Sequence, residues 1–181
     1  MQFLKFLKES QEQYRIFQDL DGVLTDFDSA FKNLEGSEGL LPLKFIDKYS
    51  KTKFWKLINK EGEDYWKNLH WMSDGKSLWN YVKKYNPDIL TKGSFNPGSK
   101  TGKLKWARNN LGLSKDRTNV VLNGGDKSSF IKTKENRELT KYDILIDDQE
   151  KNITSWVKNG GTGIFHINTN KTIKELKRLN L

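Results

Sequence analysis

Cysteine is absent from the 181 residues, which excludes disulfides and thiolate-bound metal. Histidine is nearly absent: His70 and His166 have no partners in sequence and read as structural or exposed side chains. No run is long and apolar enough to suggest a membrane span. The opening "MQFLKFLKES" is broken by Lys5, Lys8 and Glu9 before any signal-length apolar stretch develops. Repeats, low-complexity tails and blocks of consecutive basic residues are also missing. These absences set the expectation of a soluble, cytoplasmic protein with no membrane partner. Acids are the other shortage, 23 against 32 lysines and arginines, for a formal charge of +9. Such a surface attracts nucleic acid or small phosphorylated ligands, although the lysines are spread along the whole chain.

What is present suffices for one domain with a sizeable insertion. Hydrophobic residues make up 35% of the chain and aromatics 12%, enough to build a core at this length. "YRIFQDL", "PDILTK", "NVVLNG", "YDILIDD" and "GIFHIN" read as short buried strands. "DFDSAFKNL", "KLKWARNNLGL", "EKNITSWVKNGG" and "KTIKELKRL" read as helices, with Asp26 a candidate N-cap and Gly112 a candidate C-cap. "GSFNPGSKTG" reads as a loop. The text from about residue 44 to 85 is helical in period and rich in Trp and Tyr. Strands alternating with helices predict an α/β fold, a Rossmann-like parallel sheet with flanking helices.

The chemistry-bearing residues are acids at strand ends. Asp19 and Asp21 close the first strand, and Asp147 and Asp148 close "YDILI". Ligands of open parallel sheets gather at the carboxyl ends of the strands, so these four acids converge if the two strands are neighbours. Carboxylates packed so closely repel unless a cation joins them, and an all-oxygen set suits magnesium. Two plainer readings compete. "DLDG" by itself can be a turn. A calcium loop needs its glycine at the sixth position, whereas Gly22 is fourth.

"DLDGV" at a strand end resembles the first motif of the haloacid dehalogenase superfamily of phosphatases. Three further motifs fit in order: Thr91 ending "DILT", Lys103 in "TGKLKWARNNLG", and Asp147 and Asp148 in "LIDD". The resemblance runs from about residue 15 to 168. It implies a core of residues 1–28 and 86–181 with a helical cap, residues 29–85, inserted after the first strand. It implies that Asp19 is the nucleophile that forms an aspartyl-phosphate and that Asp21 is the general acid and base. Thr91 and Lys103 would bind the phosphoryl oxygens, with Lys105 the alternative lysine. Mg2+ would be held by Asp19, the main-chain carbonyl of Asp21 and Asp148, with Asp147 behind them.

The inserted text resembles the 5′(3′)-deoxyribonucleotidase subgroup, which implies a nucleoside monophosphate substrate and a base pocket of Phe27, Phe54, Trp55 and Trp66. A flat aromatic wall suits a nucleobase, whereas burial habit makes any one of these rings a core residue by default. Trp106 and Trp156, on helices expected to pack, are assigned to the core. Two alternatives follow from the charge: a phosphatase of polynucleotide ends, or a nucleic-acid-binding protein on an inactive scaffold of the same fold. Oligomeric state is not legible.

Overall fold

The computed structural model describes residues 13–122 and 124–181. The reading of "MQFLKFLKES", and the first twelve residues of the expected core, lie outside the described residues. Five parallel strands form one sheet. In chain order they are β1 (Arg15–Gln18), β2 (Asp88–Lys92), β3 (Thr118–Val121), β4 (Asp143–Asp147) and β5 (Thr162–Phe165). Their order across the sheet is β3-β2-β1-β4-β5, so the first strand is central and β4 is its neighbour.

Period-two alternation explains why both faces are covered. Ile16, Ile89, Ile144 and Ile146 belong to one buried cluster, and Phe17, Leu90 and Leu145 to a second. Five helices lie between β1 and β2: α1 (Phe27–Lys32), α2 (Pro42–Lys48), α3 (Lys51–Glu61), α4 (Glu63–Lys67) and α5 (Gly75–Val82). Phe31, Phe45, Phe54, Ile58 and Trp66 from these helices join the first cluster, together with Trp106 of α6 (Pro97–Leu111) and Leu176 of α9 (Thr169–Arg178). The second cluster is closed by Ile131 of α7 (Lys127–Glu135) and Trp156 of α8 (Glu150–Lys158). Trp106 and Trp156 also bond to backbone. Trp106 Nε1 donates to the Leu69 carbonyl at 2.7 Å, and Trp156 Nε1 to that of Asp143 at 2.8 Å.

Caps fall where short polar side chains precede the helices. Asp26 accepts from the Ser29 amide at 3.0 Å, and Gly112 ends α6 with φ of +70°. Two features depart from the sequence reading. The first concerns "PGSKTG", which is not loop but the first turns of α6, because Asn96 caps it and Pro97 occupies its first turn. Gly98 and Gly102 are there for contact: a Cβ on Gly102 would lie 2.6 Å from Trp66 Cβ and 2.7 Å from the Glu63 carbonyl. Helix α4 therefore rests directly on the backbone of α6. The second is α7, a helix that no apolar period announces. It starts at Asp126, whose carboxylate accepts from the Ser129 amide at 2.9 Å.

Candidate active site

The register of β1 on β4 pairs Gln18 with Ile146, so Asp19 and Asp147 are the next residues on adjacent strands. The Asp19 amide bonds the Ile146 carbonyl at 3.0 Å, which carries the pairing one step past the strand ends. Asp19, Asp147 and Asp148 each present an oxygen, and these atoms lie within 4.8 Å of one another. Gly22 makes the cluster sterically feasible. Its φ is +75°, and a Cβ there would lie 2.3 Å from Asp148 Oδ2.

The acids are held in different ways. Asp19 is buried; its Oδ1 accepts from the Leu20 amide at 2.8 Å, and its Oδ2 lies 3.0 Å from Lys127 Nζ. Asp147 is fully buried and well supplied with donors, from Lys127 at 2.5 Å, the Gln149 amide at 2.8 Å and the Asn152 amide group at 3.0 Å. Among the described residues, Asp148 receives only the Gln149 side chain, at 3.1 Å. Burial, followed by repulsion from Asp19, pushes its carboxyl up to about 7. A group so placed is short of positive charge. Asp19, Asp147 and Asp148 thus gather a hard, anionic oxygen set, with Asp148 short of donors, whose chemistry suits a divalent cation such as Mg2+.

Two buried lysines serve three acids between them. Lys103 has no exposed surface; its Nζ donates to Asp21 Oδ2 at 2.5 Å and to Thr91 Oγ1 at 3.0 Å, and sits 4.9 Å from the centre of the Trp66 ring. Thr25 Oγ1 donates to the other Asp21 oxygen at 3.0 Å. Lys127, which the sequence reading missed, is 1% exposed and bridges Asp19 and Asp147. Burial alone would drive its ammonium towards neutrality, but the charges of these two acids override it and raise its pKa. The available signal was Asp126 as an N-cap with a lysine directly after it, in the helix that leads into the acidic strand. Asn152, on Asp147, was also missed. Lys105 lies away from the acids, on the exposed side of α6, paired with Glu63 at 2.6 Å.

The four aromatics expected to wall a base pocket are brought together, unequally exposed. Phe27 lies 5.7 Å from Trp66 and 6.2 Å from Phe54 between ring centres. Phe54 and Trp66 are almost wholly buried, so their rings act as core, while Phe27 and Trp55 remain partly open. His70 is exposed, and His166 is buried with Nδ1 2.8 Å from Thr172 Oγ1.

No family model and no curated protein matches the sequence. Solved structures do match in shape. A haloacid dehalogenase superfamily hydrolase from Ehrlichia chaffeensis superimposes with TM-score 0.56 at 15% identity, over 93% of this chain and 99% of the other. The fold is that of the haloacid dehalogenase hydrolases. A predicted phosphatase from Clostridium acetobutylicum gives TM-score 0.55 at 16% identity, over 93% and 100% of the two chains. A hydrolase from Pseudomonas syringae gives TM-score 0.53 at 20% identity, over 92% and 90%. Among the described residues, no helix is long and apolar enough to cross a membrane.

Proposed function

We propose that the chain is a magnesium-dependent phosphatase that hydrolyses nucleoside monophosphates through an aspartyl-phosphate. The observation that carries this reading is the pairing of Asp19, buried and ionically bridged by Lys127, with Asp21 two residues on at the mouth of the sheet. Asp19 is the nucleophile: its carboxylate oxygen displaces the leaving group from phosphorus and keeps the phosphoryl until water removes it. Asp21, held by Thr25 and Lys103, gives its proton to the leaving oxygen and later takes one from that water. Thr91 Oγ1 accepts from Lys103, so its own hydroxyl proton is free to donate to a phosphoryl oxygen. Lys127 is the buried cation nearest Asp19 and is assigned the phosphoryl charge, while Lys103 keeps Asp21 and Thr91 in position. Asp19, the Asp21 carbonyl and Asp148 would hold Mg2+, which when bound offsets the repulsion between an anionic nucleophile and an anionic ester.

The nucleotide assignment rests on Phe27 together with the aromatics of the inserted helices, residues 29–85, acting as a cap, with Phe27 and Trp55 the rings left open to a base. Phosphate release from nucleoside monophosphates in magnesium tests the reading. Asp19→Asn abolishes release if the mechanism is right, and EDTA does the same. Turnover surviving Asp19→Asn would remove the aspartyl-phosphate.

A further inference from the structure

Lys92 is the residue next to Thr91, and the sheet sends the two side chains to opposite faces. Thr91 meets Lys103 of α6 on one face. Leu90, two residues before Lys92, belongs to the cluster closed by α7 and α8 on the other. Lys92 therefore points to the edge where α7 begins with Lys127 and α8 carries Lys151 in its first turn. It is half-buried, and among the described residues neither it nor Lys151 has a carboxylate partner or a hydrogen bond. Its ammonium is pushed down, first by burial and then by Lys127 and Lys151, while Asp126 and Asp147 pull the other way. Asp126 is already engaged by the Ser129 amide and by Ser155 at 2.7 Å, and Asp147 by Lys127. Lys92, next to Thr91, and Lys151, three residues beyond Asp148, are thus two unneutralised lysines at the strand ends on the side away from Lys103, near a third that is committed to Asp19. A partly desolvated ammonium facing like charges is costly unless an anion joins it.

We propose that Lys92 and Lys151 form a second anion subsite, which takes a further phosphate carried by the leaving group of the substrate. The inference rests on the phosphatase reading above and narrows its substrate class to nucleotides bearing two phosphates, one hydrolysed and one held. A nucleoside bisphosphate and the phosphorylated end of a nucleic acid strand share this chemistry.

The test compares phosphate release from a nucleoside monophosphate, the corresponding 3′,5′-bisphosphate and an end-phosphorylated dinucleotide, for the wild-type chain, Lys92→Met and Lys151→Ala. The wild type is expected to favour at least one of the compounds bearing two phosphates in kcat/KM by roughly tenfold, expressed in KM. The preference shrinks towards unity in Lys92→Met and part-way in Lys151→Ala, and added salt weakens it. Whichever compound carries the preference identifies the source of the second phosphate. Lys151 is exposed, so its variant tests the subsite even if Lys92→Met fails to fold. Equal rates on all three compounds, or a preference unchanged in both variants, would overturn the subsite and leave the phosphatase reading intact. Release from none of them would overturn both.

Discussion

Gln18 lies at the end of the central strand, one residue before Asp19, fully buried, and among the described residues neither its amide nitrogen nor its oxygen has a partner. A buried amide without partners costs about 1–3 kcal/mol, so a residue of similar shape without the polar atoms should be better tolerated. Gln18→Met is expected to raise the urea midpoint with an unchanged slope, by about 1 kcal/mol. A loss of stability instead would mean that the amide is bonded to ordered water. Lys127 presents the opposite case. Removing its charge leaves Asp19 and Asp147 facing each other in the interior. Lys127→Met should cost about 3–5 kcal/mol in the metal-free protein, and lower phosphate release by two orders of magnitude or more. The comparison variant is Lys105→Met, whose ion pair with Glu63 is exposed and worth little. If both variants behave alike in denaturation and turnover, the site has been drawn around the wrong lysine.

Helix α7 positions Lys127, and Asp126 positions α7. Burial alone would raise the Asp126 carboxyl, but the hydroxyls of Ser128 and Ser155 and the Ser129 amide hold it down to about 2. Its folded value is below its unfolded one, so its contribution is present above about pH 4 and is lost as pH falls towards 2. Asp126→Ala should lower the melting temperature near neutral pH, by about 1 kcal/mol in stability. The deficit should fade in acid across that window, which a pH series of thermal melts reads directly. This helix also marks the limit of what the sequence discloses. The strands were legible because "YRIF", "DILT" and "DILI" are dense apolar runs, and two of them end in acids whose chemistry needs neighbours. Helix α7 offers only Phe130 and Ile131 among lysines, serines and threonines, so its existence depends on a cap and on packing against the sheet. Without it the sequence points only to the α6 lysine, Lys103, which lies against Asp21 and Thr91, and leaves Lys127 unseen. The glycines of α6 were misread for a related reason: Gly98 and Gly102 look like loop residues until α4 is known to lie on them. Gly102→Val should be more damaging than its helix propensity suggests, costing about 1–3 kcal/mol or more through the clash with Trp66 and Glu63. Because Trp66 also backs Lys103, turnover should fall with it. A variant as stable as wild type would separate α4 from α6.

At the scale of the molecule, the chain is strongly basic but gathers three acids at one point of its sheet, and the two facts meet in the response to magnesium. Asp148 is the most telling group. Burial and the charge of Asp19 raise its carboxyl to about 7, above its unfolded value. Its favourable contribution is therefore fully present below about pH 4, and is lost as pH rises through 7, where the folded state must carry the charge. A divalent cation that binds only the folded state reverses this loss by mass action, adding about 2.7 kcal/mol at a hundred times its dissociation constant. For a chain of this length each kcal/mol moves the melting temperature by about 2–4 °C. Millimolar magnesium chloride is thus expected to raise the melting point over EDTA by several degrees at about pH 8, and by less at about pH 5, where a proton must leave Asp148 first. Asp148→Asn removes the repulsion and the ligand together. It should melt higher than wild type in EDTA at about pH 8, yet gain little from magnesium. A variant that melts lower without metal and keeps the full magnesium shift would place the cation elsewhere and detach Asp148 from the site.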